Sequence, residues 1–380
     1  MVQQNMRVFK FAVIFLMAAL VFLAGCMTTP PESVPQSWSI KAQTNAPAST
    51  PISTATNTVH LAKTPTPAKT NLPPVVHTNV SPVPPKTVRT WTSLDRWAAD
   101  NKIGPPVHLT SSPLSTWSIA SSYGKFVLAI GSREVTWNGV SLHLGFPPEM
   151  ADDQIFVHGL DLQKTLMPLL TGETWFYTDT NRVIVIDPGH GGINAGTLNV
   201  LGGPPEKVFT LDWAKRLAGI LQTNGWKVYL TRTNDVDVTL LNRVAFAEAH
   251  HATVFISLHF NSSAPDKKQS GLETYCLTPT GMPSTLTRGY SDLVTDIYPN
   301  NEFDAQNLLL AMRVHEAVLR ASGEEDRGIR RARFMGVLHG EKRPAILVEG
   351  GFLSNPNEAH RIEDPAFRQK LAEAVASALK

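Results

Sequence analysis

A chain of 380 residues is long enough for two domains of ordinary size, ~100 to 200 residues each. Its 34 Lys and Arg against 32 Asp and Glu leave a formal charge of +2, which removes any electrostatic ground for a nucleic-acid partner. Two cysteines, Cys26 and Cys276, exclude a disulfide framework and a thiolate-rich zinc site, so a metal would have to take His and carboxylates.

Arg7 and Lys10 precede an unbroken apolar run over residues 11–24. At ~14 residues it is short for a ~20-residue membrane span and suits the core of a signal peptide, here residues 1–25. The run ends in "LAGC", 23–26, which resembles the lipobox of bacterial lipoproteins. That resemblance implies cleavage before Cys26, lipidation of this cysteine, and an exported protein tethered to a membrane and facing the periplasm or cell wall. The alternative is an ordinary signal peptide or short anchor helix with an incidental cysteine. Residues 26–90 ("TPTPAKTNLPPVV", "SPVPPK") are rich in Pro, Thr, Ser and Ala and show no helical or strand period, the composition of a disordered or polyproline-like linker. Such a linker would span roughly 40 to 45 Å as a random coil.

Residues 91–180 change to short runs of strand-formers. "KFVLAI", "EVTW" and "VSLHLGF" surround Asn138-Gly139, a hairpin signal because both residues tolerate positive φ. "IFVHGLDLQKTLMPLL" adds a strand and a short amphipathic helix. This small β-rich module loosely resembles the copper-amine-oxidase N-terminal-like modules appended to many cell-wall hydrolases, without metal ligands; a plain packing module is the alternative.

Over residues 181–380 strand-like and helix-like segments alternate. "RVIVID" precedes "EKVFTLDWAKRLAGILQTNG", where Val208, Leu211, Ala214, Leu217, Ala218 and Leu221 recur at helical spacing and Gly225 marks the stop. "WKVYLTR" reads as strand, "LLNRVAFAEAHH" as helix, "TVFISLH" and "GLETYCL" as strands, "AQNLLLAMRVHEAVLRASG" as a long helix, and "AILVEGGF" as the last strand before a C-terminal helix. Such alternation predicts an α/β fold, an open, mostly parallel twisted sheet flanked by helices.

In such sheets ligands bind beyond the carboxyl ends of the strands. His190 follows "VIVID", His259 closes "TVFISLH", Glu349 is a charge inside the apolar "AILVEGGF", and Glu206 opens the first helix. Two neutral imidazoles and one carboxylate make the ligand set of a catalytic zinc that keeps its fourth position for water. Glu349 is then left to take a proton from that water and pass it to a departing amine, which is amide hydrolysis. A dinucleotide reading of the Gly-rich loop fails, because Asn194 stands where the third glycine should be and the helix starts only after Pro205.

"IDPGHGGINAG", "EKVFTLDWAKRL", "VYLTRTND", "LNRVAFA", "FISLHFNSS", "GLETY" and "ILVEGGFLSN" follow in order, and each resembles a block of the type 3 family of zinc-dependent N-acetylmuramoyl-L-alanine amidases. The likeness runs over about residues 182–380. It implies His190, Glu206 and His259 as zinc ligands, Glu349 as the catalytic residue, and peptidoglycan as substrate, cut between the lactyl group of N-acetylmuramic acid and L-alanine. A zinc peptidase acting on wall peptides needs the same ligands and stays open, as does a wall-binding lipoprotein that keeps the fold as a scaffold. Asp187 and Asn261 flank the two histidines and are candidates to orient their rings. His250, His251 and His315 fit structural or exposed roles. The 278–303 segment is long for a connection. Some relatives carry an inhibitory helix in this region that an activator must displace. On that reading Asp292, Asp296 or Glu302 would cap the zinc and a protein activator joins the partners; a substrate-facing loop is the alternative.

Overall fold

The computed structural model describes residues 90–172 and 181–380. The signal peptide, Cys26 and nearly all of the linker lie outside the described residues. No helix among the described residues is long and apolar enough to cross a membrane.

The first described segment opens with β1 (Trp91–Ser93), α1 (Leu94–Asp100), β2 (Val107–Thr110), β3 (Thr116–Ser121), β4 (Gly124–Ala129), β5 (Glu134–Trp137) and β6 (Val140–His143). Strands β2 to β6 form an antiparallel meander. Its β5–β6 turn is Asn138-Gly139, at φ 51° and 88°, so the hairpin forms where the Asn-Gly pair predicts it. Then come β7 (Glu149–Ala151) and β8 (Gln154–His158), which pair with β1 in a separate three-stranded sheet. α2 (Gly159–Asp161) continues through a π turn (Leu162–Leu166) into α3 (Met167–Thr171).

The second segment runs β9 (Val183–Pro188), α4 (Glu206–Thr223), β10 (Lys227–Leu230), α5 (Leu240–Ala249), β11 (Val254–Asn261), β12 (Leu272–Cys276), a 3₁₀ turn (Pro299–Phe303), α6 (Asp304–Ser322), β13 (Asp326–Arg331), α7 (Gly336–His339), β14 (Ala345–Phe352), α8 (Pro356–Glu363) and α9 (Pro365–Ala378). The sheet order is β10-β9-β11-β14-β12-β13, parallel throughout except where β12 meets β14. The expected open, mostly parallel sheet is therefore present. It continues: Ile329 of β13 pairs with Leu142 of β6, so the meander extends the same sheet to eleven strands. Asp326 reinforces this join by accepting a bond from the Ser141 amide at 2.8 Å.

Helices cover both faces, which is why β9, β11 and β14 read as near-continuous apolar runs. α4, α6 and α9 pack on one face, where Trp213 lies against Phe260 with ring centroids 5.4 Å apart. α5 and α7 cover the other, over Val185, Phe255, Tyr275 and Leu347. Each fully buried aliphatic of this kind contributes roughly 1.5 to 3 kcal/mol. The buried stripe of α4 keeps Ala214, Leu217, Ala218 and Leu221 of the expected apolar face and departs from it in the first turns, at Val208 and Leu211. Phe209, Trp213, Ala214, Leu217 and Leu221 face the sheet, while Val208 is 45 % exposed. The reason is at the helix start: Glu206 must point inward, and Phe209, Thr210 and Trp213 share its face at i+3, i+4 and i+7.

Candidate metal centre

β9 ends at the carboxyl edge of the sheet and the chain turns sharply through Gly189 and His190. His190 sits in the left-handed region at φ 62°, a conformation uncommon outside glycine and one that other contacts must hold. Two buried arginines do so. Arg243 of α5 donates to the carbonyls of Pro188 and His190 at 2.9 and 2.8 Å, and Arg232 donates to those of Pro188 and Gly189 at 3.0 and 2.8 Å. The absence of a side chain at Gly189 is required for a close approach. A Cβ there would lie 2.2 Å from the His259 ring, and one at Gly196 would lie 2.5 Å from Glu206 Oε2.

In this turn His190 meets Glu206, from the first residue of α4, and His259, near the end of β11. His190 Nε2 lies 3.1 Å from Glu206 Oε2 and His259 Nδ1 lies 3.0 Å from Glu206 Oε1. One ligand atom from each residue falls within 4.8 Å of the others. A tetrahedral zinc with bonds of ~2.0 to 2.2 Å sets neighbouring donors ~3.3 Å apart, close to the 3.1 and 3.0 Å of the two Glu206 contacts. The proton positions agree. Asn194 Oδ1 accepts from Gly196 N at 3.2 Å and faces His190 Nδ1 at 2.9 Å, which puts the ring proton on Nδ1. The lone pair on Nε2 is left pointing at a carboxylate, an arrangement that needs a cation between them, proton or metal.

Glu206 is 2 % exposed, and burial pushes its carboxyl up. Hydrogen bonds and charge interactions with His190 and His259 outweigh that and hold it well below the usual carboxylate range. The amides of Thr197 and Phe260 add donors at 2.7 and 2.9 Å. Burial lowers the His190 pKa, but Glu206 more than compensates and raises it.

Glu349 stands beside this trio. Its residue pairs with His259 across β11–β14 and with Glu273 across β14–β12, so all three side chains share one face. Glu273 is satisfied by Asn261 and Tyr275 at 2.7 Å each and by Arg327 at 2.9 Å. Glu349 is 6 % exposed and its Oε2 has no hydrogen-bond partner. Burial, then the charge of Glu206, raises its pKa well above the ordinary glutamate value, with Arg288 opposing. A buried carboxylate lacking a partner, next to three converging donors, is placed for proton transfer.

The ring-orienting roles fall elsewhere than at Asp187 and Asn261. Asp187 binds Thr231, Ser257 and Arg243, so it acts on the His190 backbone through Arg243 and not on a ring. Asn261 binds Glu273, Ser262 and Arg288. The His190 ring is held by Asn194, the residue that spoils the dinucleotide pattern. Removing its oxygen in Asn194→Ala is expected to weaken zinc binding ~10- to 100-fold, measured by competition with a chelating dye. The acidic residues of the 278–303 segment do not cap the trio either. Asp292 pairs with Arg333 at 2.5 Å, Asp296 accepts from the Tyr298 hydroxyl at 3.2 Å, and Glu302 is exposed. His250 packs on Tyr229 and Phe246, and His315 bridges Thr274 and Asp326. A cleft of about 340 Å³ opens beside the trio, lined among others by His190, Asn194, His259, Thr239 and Phe334.

An α/β fold that brings His190, Glu206 and His259 together beside buried Glu349 at the carboxyl edge of the sheet, open to a cleft, defines a protein with a candidate metal centre. Residues 184–380 match the N-acetylmuramoyl-L-alanine amidase family (Amidase_3), and the chain belongs to that family. It is 30 % identical over 243 residues to the amidase AmiC of Escherichia coli O6:H1, covering 58 % of each chain. With AmiA of Escherichia coli K12 the identity is 30 % over 216 residues, 51 % of this chain and 74 % of that one. The chain thus spans little more than half the length of AmiC. Among solved structures, the catalytic domain of CwlV, an N-acetylmuramoyl-L-alanine amidase from Bacillus (Paenibacillus) polymyxa, is 30 % identical, with 52 % of this chain and 96 % of that one covered at a TM-score of 0.43.

Proposed function

We propose that this chain hydrolyses the amide bond between the lactyl group of N-acetylmuramic acid and L-alanine in peptidoglycan, with zinc held by His190, Glu206 and His259 and protons moved by Glu349. The observation that carries this reading is the orphaned Oε2 of buried Glu349 beside the three donors. When bound, zinc polarises a carbonyl and brings the pKa of water down to ~7. Glu349 is positioned to accept the proton of the attacking water and deliver it to the nitrogen of the departing alanine. His190 keeps its Nε2 free through Asn194, and the Thr197 and Phe260 amides keep Glu206 anionic and fixed. The raised Glu349 pKa makes it the better proton donor in the second half of the reaction.

The chain's export, its tethering by lipid on Cys26 and its action in the periplasm or cell wall belong to the same proposal, supported by the "LAGC" run. A protein activator is part of it too, though nothing in the contacts of Asp292 and Asp296 makes the 278–303 segment a plug.

Exposure to a strong chelator is expected to abolish peptidoglycan solubilisation, and stoichiometric zinc to restore it. Activity that survives complete metal removal rejects the site, and wall binding with no metal-dependent turnover would leave only a scaffold.

A further inference from the structure

The 278–303 segment brings one charged group to the site, and it is a cation. Arg288, in the left-handed region at φ 47°, donates from Nη2 to Asn261 Oδ1 at 3.0 Å and lies 5.3 Å from the centre of the Phe334 ring. Tyr290 stacks on the same ring at 5.8 Å and 20°. Asn261 is itself fixed by Glu273, so the guanidinium is held by a buried amide and an aromatic face.

Three arginines near the site each have a carboxylate, Arg243 with Asp187, Arg327 with Glu273 and Arg333 with Asp292, while Arg232 is taken up by the carbonyls of Pro188, Gly189, Asn234 and Lys207. Arg288 is exposed and makes no ion pair among the described residues. Its charge is felt at Glu349. An arginine held in place with its charge unmatched, against the ring of Phe334 that lines the cleft, suits an anionic group of a ligand.

Geometry narrows which anion. Arg288 is anchored at Asn261, two residues beyond His259, so the anchor lies at most ~7 Å along the chain from a candidate ligand. From the scissile nitrogen of L-alanine, the α-carboxyl carbon of the following residue is at most ~6.8 Å away along the peptide. We propose that Arg288 recognises the α-carboxylate left free on the stem-peptide residue that follows L-alanine when that residue continues the chain through its side-chain carboxyl, making Arg288 a specificity residue of the site. This rests on the amidase reading above.

The test uses the full zinc-loaded chain and two disaccharide tripeptides that differ only at the second stem residue, whose α-carboxyl is a free acid in one and a primary amide in the other. The native enzyme is expected to favour the acid ~10- to 100-fold in kcat/KM, carried mainly by KM. Arg288→Gln should bring the acid-to-amide ratio in kcat/KM to about one, whatever change common to both substrates follows from the altered charge near Glu349, and Arg288→Lys should keep part of the preference. In the inactive Glu349→Gln protein, calorimetric binding should show the same order. Equal use of both substrates by the native enzyme, or an equal loss on both in Arg288→Gln, overturns the inference, since a purely structural arginine would not distinguish them. If the native enzyme cuts neither, the amidase reading falls and takes this with it.

Discussion

Glu349→Gln is expected to keep its full zinc content and lose ~10²- to 10⁴-fold in kcat, the usual contribution of a positioned acid–base group. The substitution preserves shape in a site where Glu349 is buried and makes no structural bond through Oε2, so packing has little reason to change. It removes the proton acceptor, and an amide cannot take its place at any pH. Metal analysis alongside steady-state kinetics reads both halves of the prediction. Retention of most of the turnover would take Glu349 out of the reaction, and loss of zinc would make it a ligand.

Glu206→Ala is expected to lose the metal outright. It also leaves the Thr197 and Phe260 amides without their acceptor, at a cost of ~1 to 3 kcal/mol each where they stay buried. His190→Ala removes one donor and no such acceptor. Both variants should therefore be inactive and metal-free, with Glu206→Ala melting lower, a difference read by thermal unfolding in chelator. The same groups set the acid limit. Both imidazoles must be neutral to hold a metal, and Glu206 raises the His190 pKa, so zinc affinity falls as pH drops through that raised value. In the metal-free protein the depressed Glu206 pKa stabilises the fold above the ordinary glutamate range, and that stabilisation is lost as pH falls below it.

Much of this was readable in the amino-acid order, for identifiable reasons. The apolar runs around His190, His259 and Glu349 could only be central strands of a parallel sheet, and polar residues at their carboxyl ends had to gather at one edge. The Asn-Gly hairpin follows from local backbone preference alone. What escaped is tertiary. Which residues the first turns of α4 bury depends on Glu206 pointing inward, a polar residue that apolar periodicity does not count. Asn194 and Arg288 act across loops, where spacing carries no signal, and Asp187 reaches His190 only by way of Arg243 from a helix more than fifty residues on. Nor does any pattern in the chain announce the single Ile329–Leu142 pairing that joins the meander to the main sheet. Asp292 looked like a candidate metal cap because acidic residues in a long loop are chemically suggestive, but Arg333 already matches its charge.

The most direct measurement is mass spectrometry of the products released when the zinc-loaded chain digests purified peptidoglycan. Free L-alanine amino termini on otherwise intact stem peptides, with N-acetylmuramic acid bearing a free lactyl carboxylate, are the predicted outcome. Cuts confined to bonds within the peptides would contradict it and make the same metal centre that of a peptidase.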